Sequence, residues 1–155
     1  MGRAFSTLLA KWGFNVIIHY HSSREEAEEL ACELRRKGVE VYTVGADLRE
    51  RAGIVSLVDA VRGLTGSLSV LVNNASSFPD PGKRVAGHGL LEETWEEWES
   101  ALSLNARAPF FLIQGLYSLL IERSDSCVII FLIHQFRRYM AVGLLIRCRS
   151  VYCRQ

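Results

Sequence analysis

Short runs of β-branched and aliphatic residues alternate along this chain with longer stretches of helical period, and few folds satisfy that alternation. Phe14 to Tyr20, Val39 to Val44, Leu68 to Asn73 and Cys127 to Ile133 carry the strand pattern. Ser23 to Lys37, Arg49 to Leu64 and Leu91 to Glu122 carry the helical one. Ala4 to Trp12 adds a helix in front, with Phe5, Leu8, Leu9 and Trp12 at i, i+3, i+4 and i+7. Strands separated by helices have room to cross over and lie parallel, so the pattern predicts an α/β fold with a doubly wound parallel sheet. Local signals agree. Ser23 stands at an N-cap position, Glu25, Glu26, Glu28 and Glu29 follow it, and Arg35, Arg36 and Lys37 gather at the far end, as the helix dipole favours. Gly13 and Gly38 supply stops. Phe78 to Gly89 is the long loop, and Pro109, having no N–H to donate, is expected to bend or restart the last long helix.

With 155 residues, 49% of them hydrophobic and 23% charged, the chain is long enough for one domain with a real core. A net charge of +1 offers no basic stripe for nucleic acid and no electrostatic case for an anionic membrane. Trp95 and Trp98, set among Glu92, Glu93, Glu96, Glu97 and Glu99, read as helix packing and would repel phosphate. Cys127 to Ile133 is far short of the roughly 20 apolar residues that a membrane span needs, and Met1 to Phe5 lacks the apolar core of a secretory leader. Cys32, Cys127, Cys148 and Cys153 show neither tight pairing nor metal-ligand spacing with the four histidines, which predicts reduced thiols, a cytoplasmic protein and no metal site. The charge is uneven along the chain. All 17 acidic residues lie at or before Asp125, whereas the last thirty residues hold five Arg. Residues 1–133 are therefore expected to form the folded domain and 134–155 an atypical basic tail.

In an open parallel sheet, ligands sit beyond the carboxyl ends of the strands. Behind Leu68 to Val72 stands Asn73-Asn74-Ala75-Ser76-Ser77-Phe78; behind Val16 to Ile18 stands His19-Tyr20-His21-Ser22-Ser23-Arg24; and Asp47-Leu48 follows Gly45-Ala46. At the second strand of a dinucleotide fold, an acid bonds the ribose 2′-hydroxyl, whereas cations and hydroxyls accommodate a 2′-phosphate. No acid occurs here before Glu25, which favours NADP(H). In this order the motifs resemble the short-chain dehydrogenase/reductase family, and within it the pteridine reductases. The resemblance implies a Rossmann-type sheet in which Gly2 ends the glycine-rich turn and His19, Tyr20, His21, Ser23 and Arg24 hold the 2′-phosphate. Asp47 and Leu48 would meet the adenine end, and Asn73 and Ala75 the ribose. Ser76 and Phe78 would flank a pterin-like small molecule, and Asn105 would support a catalytic proton relay. It also implies a homo-oligomer through the helices of 91–122. Asp47 has a second reading as a helix cap, and Asn73-Asn74 as an ordinary turn.

Two pieces of that family pattern are missing. Met1 stands where the first strand and the start of the glycine-rich turn belong. No Tyr-x-x-x-Lys pair follows downstream, since Tyr139 has Gly143 at +4 and Tyr152 has no residue there. A positioned proton donor is typically worth about 10²–10⁴ in rate. The implied reaction is hydride transfer from NADPH to a pterin or a related C=N or C=O group, with negligible turnover expected from this sequence. The alternative is a noncatalytic nucleotide-binding or dimerising remnant of a truncated or frameshifted gene. In a sheet of order 3-2-1-4-5 the first strand is central. The sheet is thus expected to be incomplete, with Met140 to Ile146 as the segment to fill its place.

Overall fold

The computed structural model describes residues 1–76, 94–132 and 142–147, and the chain divides into two compact units, Met1–Gly66 and Ser67–Gln155. The Phe78 to Gly89 loop and most of the basic tail lie outside the described residues.

In the first unit α1 (Gly2–Lys11), β1 (Val16–Tyr20), α2 (Arg24–Arg35), β2 (Val41–Gly45) and α3 (Arg51–Leu64) follow one another. β1 and β2 pair in parallel, from Val16 opposite Val41 to Tyr20 opposite Gly45. On α2 the residues Ala27, Leu30, Ala31 and Leu34 recur at i, i+3, i+4 and i+7, so one face buries all four in a cluster with Val16, Ile18 and Val41. Ala31 and Leu34 are fully enclosed. Each leucine buried this way is worth about 1.5–3 kcal/mol. Polar contacts fix the crossover. Arg35 Nη2 donates to the Val41 carbonyl at 2.6 Å, tying the end of α2 to the start of β2, and Thr43 Oγ1 donates to Glu28 at 2.6 Å. Between them Gly38 takes φ +87°, a left-handed turn that suits glycine. Ser23 occupies the N-cap position of α2 without a side-chain bond, because its backbone (φ −84°, ψ 61°) is off the extended geometry from which a cap hydroxyl reaches back.

In the second unit β3 (Val70–Asn73), α4 (Trp95–Leu102), α5 (Ala108–Ile121), β4 (Cys127–Leu132) and β5 (Val142–Arg147) follow. β3 and β4 pair in parallel, from Val70 opposite Cys127 to Asn73 opposite Ile130. α5 packs on both strands and buries Pro109, Leu112, Leu116, Leu119 and Leu120. α4 opens with a capping box, in which Thr94 Oγ1 accepts from Glu97 N at 3.2 Å and Glu97 Oε2 accepts from Thr94 N at 3.0 Å. Between α4 and α5, Ser103–Arg107 form a turn of π-helix. Pro109 accounts for its position. It has no N–H for the carbonyl of Asn105 four residues back, and its ring presses on that carbonyl; a widened turn relieves both. The break thus precedes the proline, and α-helix resumes at Ala108. By length and composition Trp95–Ile121 could cross a bilayer; the leucines of α5 instead face β3 and β4.

β5 runs antiparallel along β4, from Cys127 opposite Arg147 to Leu132 opposite Val142, giving the order β3-β4-β5. The expectation that Met140 to Ile146 fills the place of a first strand is therefore wrong. Nine residues separate β4 from β5, enough for a hairpin return and fewer than the dozen or so that a parallel crossover needs. Among the described residues, β1 pairs with β2 alone and β3 with β4 alone. Parallel pairs joined by helical crossovers make this an α/β fold of the doubly wound kind, incomplete as the sequence predicts.

Candidate functional site

Because β1 and β2 are parallel and in register to Tyr20 and Gly45, the loops that leave them start at the same end. His19, Tyr20, His21, Ser23, Arg24, Asp47 and Leu48 lie on or just beyond it. The ladder continues one step past the strands through Ala46 N to the Tyr20 carbonyl at 3.0 Å, and His19 Nε2 lies 2.8 Å from the Ala46 carbonyl. Partial burial lowers the His19 pKa below its ordinary 6.5, outweighing the carbonyl that raises it. The Tyr20 ring covers Gly45 so closely that a Cβ there would stand 2.9 Å from it. Gly53, at the start of α3, meets the Asp47 carbonyl with no room for any Cβ. Together with Leu48, which is only 5% exposed, that contact fixes the Asp47 loop.

Asp47 does not cap α3, where Glu50 holds the cap position. Its Oδ1 accepts instead from the Arg49 N–H at 3.0 Å, a short Asx turn. The Arg49 guanidinium folds back onto the same carboxylate, with Nη2 2.6 Å from Oδ2, and holds it well below the usual carboxylate range. His21 Nε2 lies 3.4 Å from Asp47 Oδ2 and 3.4 Å from Arg49 Nη2. Sequence reasoning missed Arg49. Its signal was a cation two residues after a turn-forming aspartate. Ser23 and Arg24 are exposed beside this group at the start of α2. Gly2 opens α1, whose Arg3 pairs at 2.7 Å with Glu33 near the other end of α2.

In the second unit, Asn73 ends β3 at 7% exposure, and its Nδ2 has no partner among the described residues. A buried donor of this kind calls for an acceptor. Asn74, Ala75 and Ser76 continue from it, half-buried, while Phe78 lies outside the described residues. Asn105 is half-buried in the π-turn, a feature frequent at functional sites. Among the described residues no three His, Cys, Asp or Glu side chains gather as metal ligands. Chemically, the β1–β2 end offers cations and a hydroxyl to an anion, and Asp47 there is paired to Arg49, with Glu25, Glu26 and Glu50 in the turns that follow. That donor set fits a phosphorylated nucleotide.

The model of the short chain dehydrogenase family matches residues 1–135. A 3-oxoacyl-(acyl-carrier-protein) reductase of Staphylococcus aureus is 28% identical over 129 residues, which cover 83% of this chain and 50% of its own. The short chain dehydrogenase mdpC of Emericella nidulans is 33% identical over 117 residues, covering 76% and 42%. The solved NADP active-site complex of RhlG from Pseudomonas aeruginosa shares 29% identity with a TM-score of 0.66, over 78% of this chain and 44% of that one. A metagenomic short-chain oxidoreductase in complex with NADP has the same fold, with a TM-score of 0.70 at 23% identity over 82% and 54%. The chain spans about half the length of the curated relatives it matches. With parallel strand pairs, polar strand ends and a family match over most of its length, it belongs to the short-chain dehydrogenase family.

Proposed function

We propose that this chain binds NADP(H) and carries cofactor- and substrate-facing residues of a short-chain reductase of pteridine-reductase type. The observation that carries the reading is the β1–β2 end, where His21, Ser23 and Arg24 stand before the first acid of α2, Glu25, and Asp47 is paired to Arg49. In a dinucleotide fold this set suits a 2′-phosphate better than a free 2′-hydroxyl. The RhlG complex with NADP supports the same choice. His19 and Tyr20 would shape the floor of that pocket, Asp47 and Leu48 would face adenine, and Gly2 the pyrophosphate. Asn73 and Ala75 would face the ribose, with Asn73 Nδ2 a buried donor that has no acceptor among the described residues. Ser76 and Phe78 would flank a flat pterin-like substrate, and Asn105 would order a water for proton relay. When bound, NADPH supplies a hydride. The sequence holds no Tyr-x-x-x-Lys pair, so no turnover is expected from these residues alone.

An NADPH titration of the purified chain, with NADH alongside, tests the reading through tryptophan fluorescence and thermal unfolding. Saturable stabilisation by NADPH is expected, about 2.7 kcal/mol at a hundredfold excess over Kd. No shift with either nucleotide removes the reading, and equal shifts remove its 2′-phosphate part. A second reading, a noncatalytic dimerising protein, is favoured by one observation: Trp95, Trp98, Phe110, Tyr117 and Ile121 are all more than half exposed on α4 and α5.

A further inference from the structure

Asp47 has no acceptor to spare. Its Oδ1 accepts from the Arg49 backbone N–H at 3.0 Å and from Arg49 Nε at 2.9 Å, and its Oδ2 accepts from Arg49 Nη2 at 2.6 Å, with Nε also 3.2 Å away. His21 Nε2 stands 3.4 Å from Oδ2. A carboxylate offers about four acceptor sites, and Arg49 and His21 account for them. The arrangement is fixed from several sides. Gly53 meets the Asp47 carbonyl too closely for any Cβ, Leu48 is buried beside it, and the Asx turn pins Oδ1 through the backbone. Arg49 makes a further interaction besides those with Asp47 and His21, which holds the guanidinium where it is. The cluster still meets solvent, with the Asp47, Arg49 and His21 side chains 32%, 45% and 53% exposed, so an incoming ligand encounters it ready-made.

At its 6-position a purine carries either an amino group, which donates, or a carbonyl, which accepts. A bare carboxylate tells them apart, accepting from the first and repelling the second. The Asp47 carboxylate is not bare. An amino group would have to displace a guanidinium bond, and a neutral donor gains nothing by replacing a charged one. A carbonyl meets a carboxylate whose charge the guanidinium already offsets. Resting on the NADP(H) reading above, we infer that this site takes 2′-phosphorylated purine nucleotides without distinguishing adenine from a 6-oxo purine, and that Arg49 sets this tolerance by occupying Asp47. Asp47 is then a positioning residue that keeps Arg49 and His21 in place. It lies at the adenine end, as the family resemblance implies, without reading the base through its carboxylate.

Calorimetric titration of the full chain with adenosine 2′,5′-bisphosphate and with inosine 2′,5′-bisphosphate tests this, in the wild type and in Arg49→Ala. 5′-AMP serves as the reference without a 2′-phosphate, and melting temperature as the folding control. The wild type is expected to bind the two bisphosphates equally, and both more tightly than 5′-AMP. Arg49→Ala keeps the backbone N–H of the Asx turn and removes the guanidinium from Asp47. It should therefore acquire a preference for the adenosine ligand of about tenfold, the worth of one hydrogen bond to a charged group. If Arg49 served stability alone, both bisphosphates would weaken alike in Arg49→Ala with their ratio unchanged, and that result would overturn the inference. A wild type that already prefers adenosine to inosine bisphosphate would overturn it too while leaving the NADP(H) reading intact, and this comparison decides even where Arg49→Ala does not fold. A wild type that binds neither bisphosphate, or binds 5′-AMP as tightly, would remove that reading and the inference together.

Discussion

Protonating His19 would place a charge between two strand ends where water is partly excluded, with Nε2 already set against the Ala46 carbonyl. Its folded-state pKa lies below the ordinary 6.5, so the unfolded chain takes up protons first as pH falls. The stability tied to this residue is complete above about pH 6.5 and is lost as pH descends towards the folded value. Asp47, held far lower by Arg49, does not titrate in that window. The melting temperature is therefore expected to drop between about pH 7.5 and 5.5, and to drop less in His19→Gln. Parallel curves for the two proteins would place the acid sensitivity elsewhere. At this scale the strings His19 to Arg24 and Asp47-Leu48 were legible, because polar residues at a strand's carboxyl end announce themselves. Arg49 and Gly53 were not. One depends on a side chain folding back through an Asx turn, the other on the backbone of a residue six positions earlier, and neither leaves a pattern in composition or period.

Elements follow their local chemistry closely where one face is apolar. On α2 the four-residue apolar row is unambiguous, and the helix and both its strands lie within a few residues of where the period puts them. Leu34, fully enclosed at the end of that row, is the residue whose loss should be felt most. Leu34→Ala is expected to cost about 2–5 kcal/mol in urea-induced unfolding; a loss well under about 1 kcal/mol would mean that α2 does not close this core. Where period and chemistry compete, the reading slipped. Thr94 with Glu97 is a legible start signal, yet apolar periodicity carried the helix back to Leu91, whereas it begins at Trp95. The strand at Val142 was recognised as apolar and given the wrong neighbour, since pairing depends on the length of the return and not on the strand's own residues.

Across the whole molecule, α/β character and the parallel pairs β1–β2 and β3–β4 were legible from alternation and sheet order, and the neighbour of β5 was not. The surface that remains to be explained lies on the long helix. Trp95, Trp98, Leu102, Phe110, Tyr117 and Ile121 range from 43% to 74% exposed, the kind of apolar exposure that marks an interaction face. Self-association through it is expected, as a sedimentation coefficient that rises with concentration and falls back in a Trp98→Glu, Phe110→Glu variant; a wild type that stays monomeric throughout would rule it out. The spacing along this row is 3, 4, 8, 7 and 4 residues, and the buried row runs Ser103, Ala108, Leu112 and Leu116 with one step of five. Both rows stay in phase only because the π-turn absorbs one residue beyond the helical repeat. Deleting a single residue from 103–107 would leave both rows aligned on the regular repeat and close the wide turn around Asn105, with the Pro109 ring then set against the preceding turn. The helix thus holds a detachable part: its packing could outlive the loss of the one residue that opens its backbone.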